Sequence, residues 1–148
     1  MRADKQVVLG DARLVLERQE PQNFDLLVVD AFSSDSIPVH LLTREAFEVY
    51  FRHLKPSGIL AVHISNKYLD LEPVVRRNSQ ELGKRYLVIE DNGDDASYLS
   101  STTWVMVTGD GMALGAPEFG QVQPRLLASR EAIRTWTDDY SNLFQILK

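Results

Sequence analysis

The sequence predicts an α/β domain built on a mostly parallel sheet whose last strand runs antiparallel. Three observations carry this. Short apolar runs alternate with amphipathic helical stretches in the order β-α-β-α-β-α-β-β. The run Leu26-Leu27-Val28-Val29 does not alternate with polar residues, as expected of a strand buried on both faces. The last two strands have no helical crossover between them, so they pair as antiparallel neighbours.

In chain order, Val7-Val8-Leu9 is a short strand stopped by Gly10-Asp11. Ala12 to Gln19 is a helix with Ala12, Val15 and Leu16 on one face, ended by Pro21. Phe24 to Val29 is the second strand, followed by a Ser/Asp-rich loop from Ala31 to Pro38. Thr43 caps a helix that runs to about Lys55, with Phe47, Tyr50, Phe51 and Leu54 on one stripe. Pro56-Ser57-Gly58 breaks it, and Ile59 to Ile64 is the third strand. Asp70 caps the next helix, Pro73 sits in its first turn, and Leu71, Val74, Val75 and Leu82 face inward. Gly83 ends it. Tyr86 to Ile89 and Trp104 to Val107 are the fourth and fifth strands. Residues 109–124 hold four Gly and two Pro and read as loop. Arg125 to Trp136 reads as a further helix and Asn142 to Leu147 as an apolar tail.

The chain has 148 residues, the length of one domain. Its 16 Lys+Arg stand against 21 Asp+Glu, a formal net charge of −5. Nucleic acid is therefore not an expected partner, whereas small cations are tolerated. No cysteine is present, which excludes disulfides, thiol nucleophiles and thiolate metal sites. No apolar run reaches the ~18–20 residues that cross a membrane, and the N-terminus has no apolar signal-peptide core. A cytoplasmic protein with no membrane partner is expected.

In an open α/β sheet the ligand sits beyond the carboxyl ends of the parallel strands. Gly10-Asp11-Ala12 follows the first strand. Asp30, Ser33, Ser34, Asp35 and Ser36 follow the second, Ser65-Asn66 the third, and Glu90, Asp91, Asp94, Asp95 and Tyr98 the fourth. Each group has a plainer reading. Asp11 also fits a helix cap, and Asp30 and Asp35 fit turn residues. Asp91, Asp94 and Asp95 fit a solvated turn, since the closing Glu of a calcium loop is absent. His40, His53 and His63 are too scattered for a ligand pair at helical spacing, so no metal is expected. Gly109-Asp110-Gly111 with Gly115 misses the dinucleotide fingerprint by one position and is followed by Ala116-Pro117, not a helix.

Three segments together resemble the spermidine/spermine synthase family of aminopropyltransferases. They are Val8-Leu9-Gly10-Asp11-Ala12-Arg13, the run from Phe24 through Asp30-Ala31-Phe32-Ser33-Ser34-Asp35-Ser36 to Pro38, and Leu54-Lys55-Pro56-Ser57-Gly58-Ile59-Leu60. The loop is most similar to a divergent bacterial branch, as is the closing Trp136-Thr137-Asp138-Asp139-Tyr140-Ser141-Asn142.

The resemblance implies a Rossmann-like, S-adenosylmethionine-dependent methyltransferase fold. It also implies aminopropyl transfer from decarboxylated S-adenosylmethionine, or a related adenosyl nucleoside, to a polyamine or small amine, without metal. Asp11 then accepts a hydrogen bond from the adenine amino group, with Ala12 beside it. Asp30 and Asp35 are the loop carboxylates around the amine, the second being the base for the attacking nitrogen. Ser33, Ser34, Asn66 and Tyr98 contact substrate.

Leu99 and Ser101 depart from the family's Tyr-Pro-Ser-Gly segment, and Ser65-Asn66 replaces its Gln/Glu-rich strand end. Family members carry a Gly-rich turn and an acidic strand end upstream, and only nine residues precede Gly10. The expectation is a single domain over residues 1–148 equivalent to the C-terminal part of a synthase, lacking the first two strands, and incomplete or inactive alone. Two other readings stand beside it: a non-catalytic interaction or oligomerisation module, and a small-molecule methyltransferase relative. With the three helices on one face of the sheet, the other face exposes apolar side chains, and a homodimer is expected to cover them.

Overall fold

The computed structural model describes residues 4–30, 38–91, 93, 101–111, 113–115 and 133–148. Its elements are α1 (Ala12–Arg18), β1 (Phe24–Val29), α2 (Arg44–His53), β2 (Leu54–His63), α3 (Glu72–Glu81), β3 (Arg85–Asp91) and β4 (Thr102–Thr108). The four strands form one sheet in the order β1-β2-β4-β3. β1 and β2 are parallel, and β4 lies antiparallel to both β2 and β3. The architecture is the α/β sheet expected, with the last strand slotted between its two predecessors.

The helix ends follow from the sequence. The Thr43 side chain accepts from Ala46 N–H at 3.2 Å and starts α2. Its stripe delivers Phe47, Tyr50 and Leu54 into the core, each burial stabilising by roughly 1.5–3 kcal/mol. Gly83, at φ 62, closes α3. Lys84 N–H donates to Ser79 O at 2.8 Å and Gly83 N–H to Gln80 O at 3.0 Å, a paired cap that needs a left-handed residue.

Four expectations are corrected. Val7-Val8-Leu9 is not a strand: no ladder partner lies beside it among the described residues, and Val7 and Leu9 are 84% and 92% exposed. The third strand starts at Leu54 rather than Ile59. Phe24 pairs with Leu54 and Leu26 with Ile59, so Lys55–Gly58 bulges from the ladder without ending it. Asp70 does not cap α3. Leu71 is its N-cap, without a side-chain bond, and Pro73 occupies the first turn as expected. Residues 133–136 are not helical, and 116–132, the rest of that expected helix included, lie outside the described residues.

β1 is buried on one face only. Leu27 and Val29 join the core under α2 and α3 with Leu60, Val62, Val105 and Val107. Leu26 and Val28 point the other way and are 54% and 52% exposed. The unbroken apolar run came from an edge strand whose second face is open among the described residues. On that face Leu26, Val28, Ile59, Ala61, Trp104 and Met106 line a shallow apolar groove.

The C-terminus docks against this frame. Trp136 is fully buried, and its carbonyl accepts from Arg44 N–H at 2.8 Å. Ile146 is likewise buried, and Leu147 bridges to Leu69.

Candidate active site

Two carboxylates emerge where chain leaves the sheet or enters a helix. Asp11 is the N-cap of α1: its Oδ1 accepts from Leu14 N–H at 3.0 Å, and its Oδ2 lies 2.8 Å from His40 Nε2. The Leu14 N–H bond, and then His40, hold its carboxyl below the ordinary value of 3.8. The plain capping reading is therefore correct for Asp11. Each carboxylate oxygen has a second lone pair, so capping does not exhaust its capacity to accept hydrogen bonds.

Asp11 lines an open cleft of about 660 Å³ with Arg13, His40, Thr43 and Asp138. Arg13 organises it, meeting Asp138 through two nitrogens at 2.6 Å each. It also donates to the His40 carbonyl at 2.9 Å, to Thr43 Oγ1 at 3.2 Å and to Glu17 at 2.8 Å. The Asp138 bonds push the Arg13 guanidinium upward, and Arg13 holds the Asp138 carboxyl below 3.8.

Asp30 directly follows β1. Its Oδ1 lies 2.7 Å from His63 Nδ1, at the end of the neighbouring strand. It lines a second cavity, of about 400 Å³, that it shares with Ala12, Leu16, Phe24 and Tyr50. The structure thus brings Ala12 and Asp30 to one cavity, while Asp11 lines the first cleft. Burial raises the Tyr50 hydroxyl, which donates to Leu41 O at 3.0 Å, so that hydroxyl stays neutral.

Asn66 follows β2, and its Oδ1 accepts from Tyr68 N–H and Leu69 N–H at 2.9 Å each. That oxygen holds a turn; the Asn66 backbone carbonyl accepts from Lys148 Nζ at 2.6 Å. Ser33, Ser34, Asp35 and Tyr98 lie outside the described residues. No group of three or more His, Cys, Asp or Glu side chains stands ready for a metal among the described residues. No helix among them is long and apolar enough to cross a membrane.

Sequence reasoning missed His63 and His40 as partners of the two aspartates. Metal spacing was the wrong question for them. A sharper signal was available in His63-Ile64-Ser65: alternate residues of an extended run share a face, so His63, the last residue of β2, and Ser65 just beyond it point the same way.

No family model matches the chain. A polyamine aminopropyltransferase of Vibrio vulnificus (strain CMCP6) is 34% identical over 73 residues, 47% of this chain and 24% of that protein. Two solved structures share the fold. MNMC2 from Aquifex aeolicus matches with a TM-score of 0.52 and 20% identity, over 71% of this chain and 30% of that one. A probable spermidine synthase from Corynebacterium glutamicum ATCC 13032 matches with a TM-score of 0.51 and 21% identity, over 68% of this chain and 36% of that one. The chain thus spans only about a quarter to a third of the length of these proteins. In sequence, this chain is similar over 73 residues to a polyamine aminopropyltransferase, and in fold it is similar to these two solved structures.

Proposed function

We propose that this chain carries the amine side of an aminopropyltransferase site, transferring an aminopropyl group from decarboxylated S-adenosylmethionine to a polyamine. The observation that supports it best is Asp30: an exposed carboxylate at a parallel strand end, fixed by His63, bordering the cavity it shares with Ala12. Aminopropyl transfer is attack by a neutral amine nitrogen on the carbon beside a sulfonium. The C–N bond forms, the C–S bond breaks, and the electron pair leaves on a neutral thioether. The leaving group needs no acid and no metal. The protein has to orient cations and receive one proton, which carboxylates do. Asp30 and Asp35 take those roles, Asp35 as the base, and Asp11 the adenine, with Ser33, Ser34, Asn66 and Tyr98 around the substrate.

The chain corresponds, in this reading, to the C-terminal part of a synthase domain, and the ribose and methionine contacts lie outside it. A loss of about 4 kcal/mol weakens binding about a thousandfold, so the chain alone forms no spermidine. Incubation with decarboxylated S-adenosylmethionine and putrescine tests this: no methylthioadenosine is released, and measurable turnover would refute the half-site account. Polyamine biosynthesis in the cytoplasm is the setting the reading implies, and a chain without cysteine asks for no oxidising compartment.

A second reading rests on the open face of the sheet. An apolar groove formed by Leu26, Val28, Ile59, Ala61, Trp104 and Met106 suits a non-catalytic interaction module. Both readings take a two-fold homodimer as the cover for that face.

A further inference from the structure

A line of hydrogen bonds crosses the carboxyl ends of the strands and finishes on Asp30. Thr103 N–H donates to Ser65 Oγ at 2.7 Å. Ser65 Oγ lies 2.7 Å from His63 Nε2, and His63 Nδ1 lies 2.7 Å from Asp30 Oδ1. The two ends set the direction. A backbone N–H only donates, and an ionised carboxylate only accepts. With a neutral imidazole between them, the Ser65 hydroxyl donates to Nε2, and Nδ1–H donates to Asp30. The line therefore selects one tautomer of His63.

The ring is also held flat against Trp104, with centroids 4.7 Å apart and planes 21° from parallel. The His63 side chain is 20% exposed and that of Asp30 55%. One end of the line is thus anchored to β4 and the other meets solvent. The same three residue types, in the same order, serve as nucleophile, base and orienting acid in hydrolases. Here the serine is the anchored end and the carboxylate the open one, so the group offered to a ligand is Asp30 Oδ2.

We propose that His63, anchored through Ser65 to Thr103, is a positioning residue that aims the Asp30 carboxylate at a primary amine. This rests on the aminopropyl-transfer reading, since it is that reading which brings the amine to Asp30. Holding Oδ1 from behind leaves the carboxylate one orientation, and a substrate ammonium meets an acceptor already in place.

The test uses the whole chain and putrescine as the probe, followed by 1H–15N NMR. Asp30→Asn weakens the response to putrescine at least tenfold. His63→Ala weakens binding about tenfold, equivalent to about 1.4 kcal/mol, and Ser65→Ala weakens it about threefold. His63→Asn, whose amide N–H replaces Nδ1–H, recovers most of the loss. Long-range 1H–15N correlation shows wild-type His63 protonated on Nδ1, a signature that a merely structural histidine does not require. Equal binding by wild type and His63→Ala, with Asp30→Asn still defective, overturns the role of His63 and leaves the amine reading standing. No putrescine binding by the wild type removes both. His63 protonated on Nε2 at neutral pH overturns the proposal whatever the titration gives.

Discussion

Arg13 and Asp138 lie 125 positions apart and meet through two parallel N–H···O contacts of 2.6 Å each. This pair ties α1, which buries none of its residues fully, to the C-terminal tail. The Arg13 side chain is only 11% exposed, and two-pronged guanidinium–carboxylate bonds are among the stronger polar contacts. Arg13→Ala is expected to cost about 2 kcal/mol in urea unfolding. Asp138→Asn costs less, because Asp138 is partly exposed and an amide oxygen still accepts from Thr43.

Acid should unfold the chain partly through the same corner. Asp11 and Asp138 both titrate below 3.8 in the folded chain, the first through the Leu14 N–H bond and the second through Arg13. Near pH 4 the unfolded chain therefore binds more protons at these two sites than the folded one. Their contribution is complete above the ordinary carboxyl value and is lost as pH falls through the lowered folded values. An Asp11→Asn/Asp138→Asn double variant should show a flatter loss of stability below about pH 4, measured by circular dichroism.

Two glycines separate backbone strain from lack of space. At Gly83 an added Cβ meets nothing within 4 Å, but φ is +62°, so Gly83→Ala costs about 1 kcal/mol. At Gly58 an added Cβ comes within 2.9 Å of the Phe24 carbonyl oxygen and 3.0 Å of Lys55 O. Both are backbone atoms of the bulge between β1 and β2. Gly58→Ala should cost two to three times as much as Gly83→Ala, read from paired thermal melts.

The open face predicts assembly. Light scattering at micromolar concentration should give a dimer, and Leu26→Asp/Val28→Asp should give a folded monomer, since both side chains point away from the core. A monomeric wild type would remove the homodimer from the account.

Much of this structure was legible in the sequence. Thr43 and Gly83 are helix punctuation with local causes, and both work as read. The 3.6-residue stripe of α2 and the short β-rich runs of β3 and β4 are also local patterns. What escaped depends on neighbours. Whether Leu26 and Val28 are covered depends on what lies over the sheet, not on the run they sit in. Val7–Leu9 has the composition of a strand but no partner among the described residues to pair with. Pro56–Gly58 looks like a terminator, yet the ladder resumes at Ile59 because β1 offers a second point of pairing. At the site, Asp30 was marked by its place after β1, and Asp11 by its place after a strand that the structure does not form. The histidines that meet them belong to other segments, 29 and 33 positions away; the alternation His63-Ile64-Ser65 hinted at one meeting, and no local pattern records that of His40 with Asp11.

The central claim is that Asp30 receives an amine at the carboxyl end of β1. The most direct measurement is a putrescine titration of the wild type and Asp30→Asn side by side, followed by NMR at low salt. The account predicts saturable shifts centred on Asp30 and His63 in the wild type, weakened at least tenfold in the variant. Equal responses in the two proteins, or shifts confined to the cleft around Asp11 and Asp138, would contradict it.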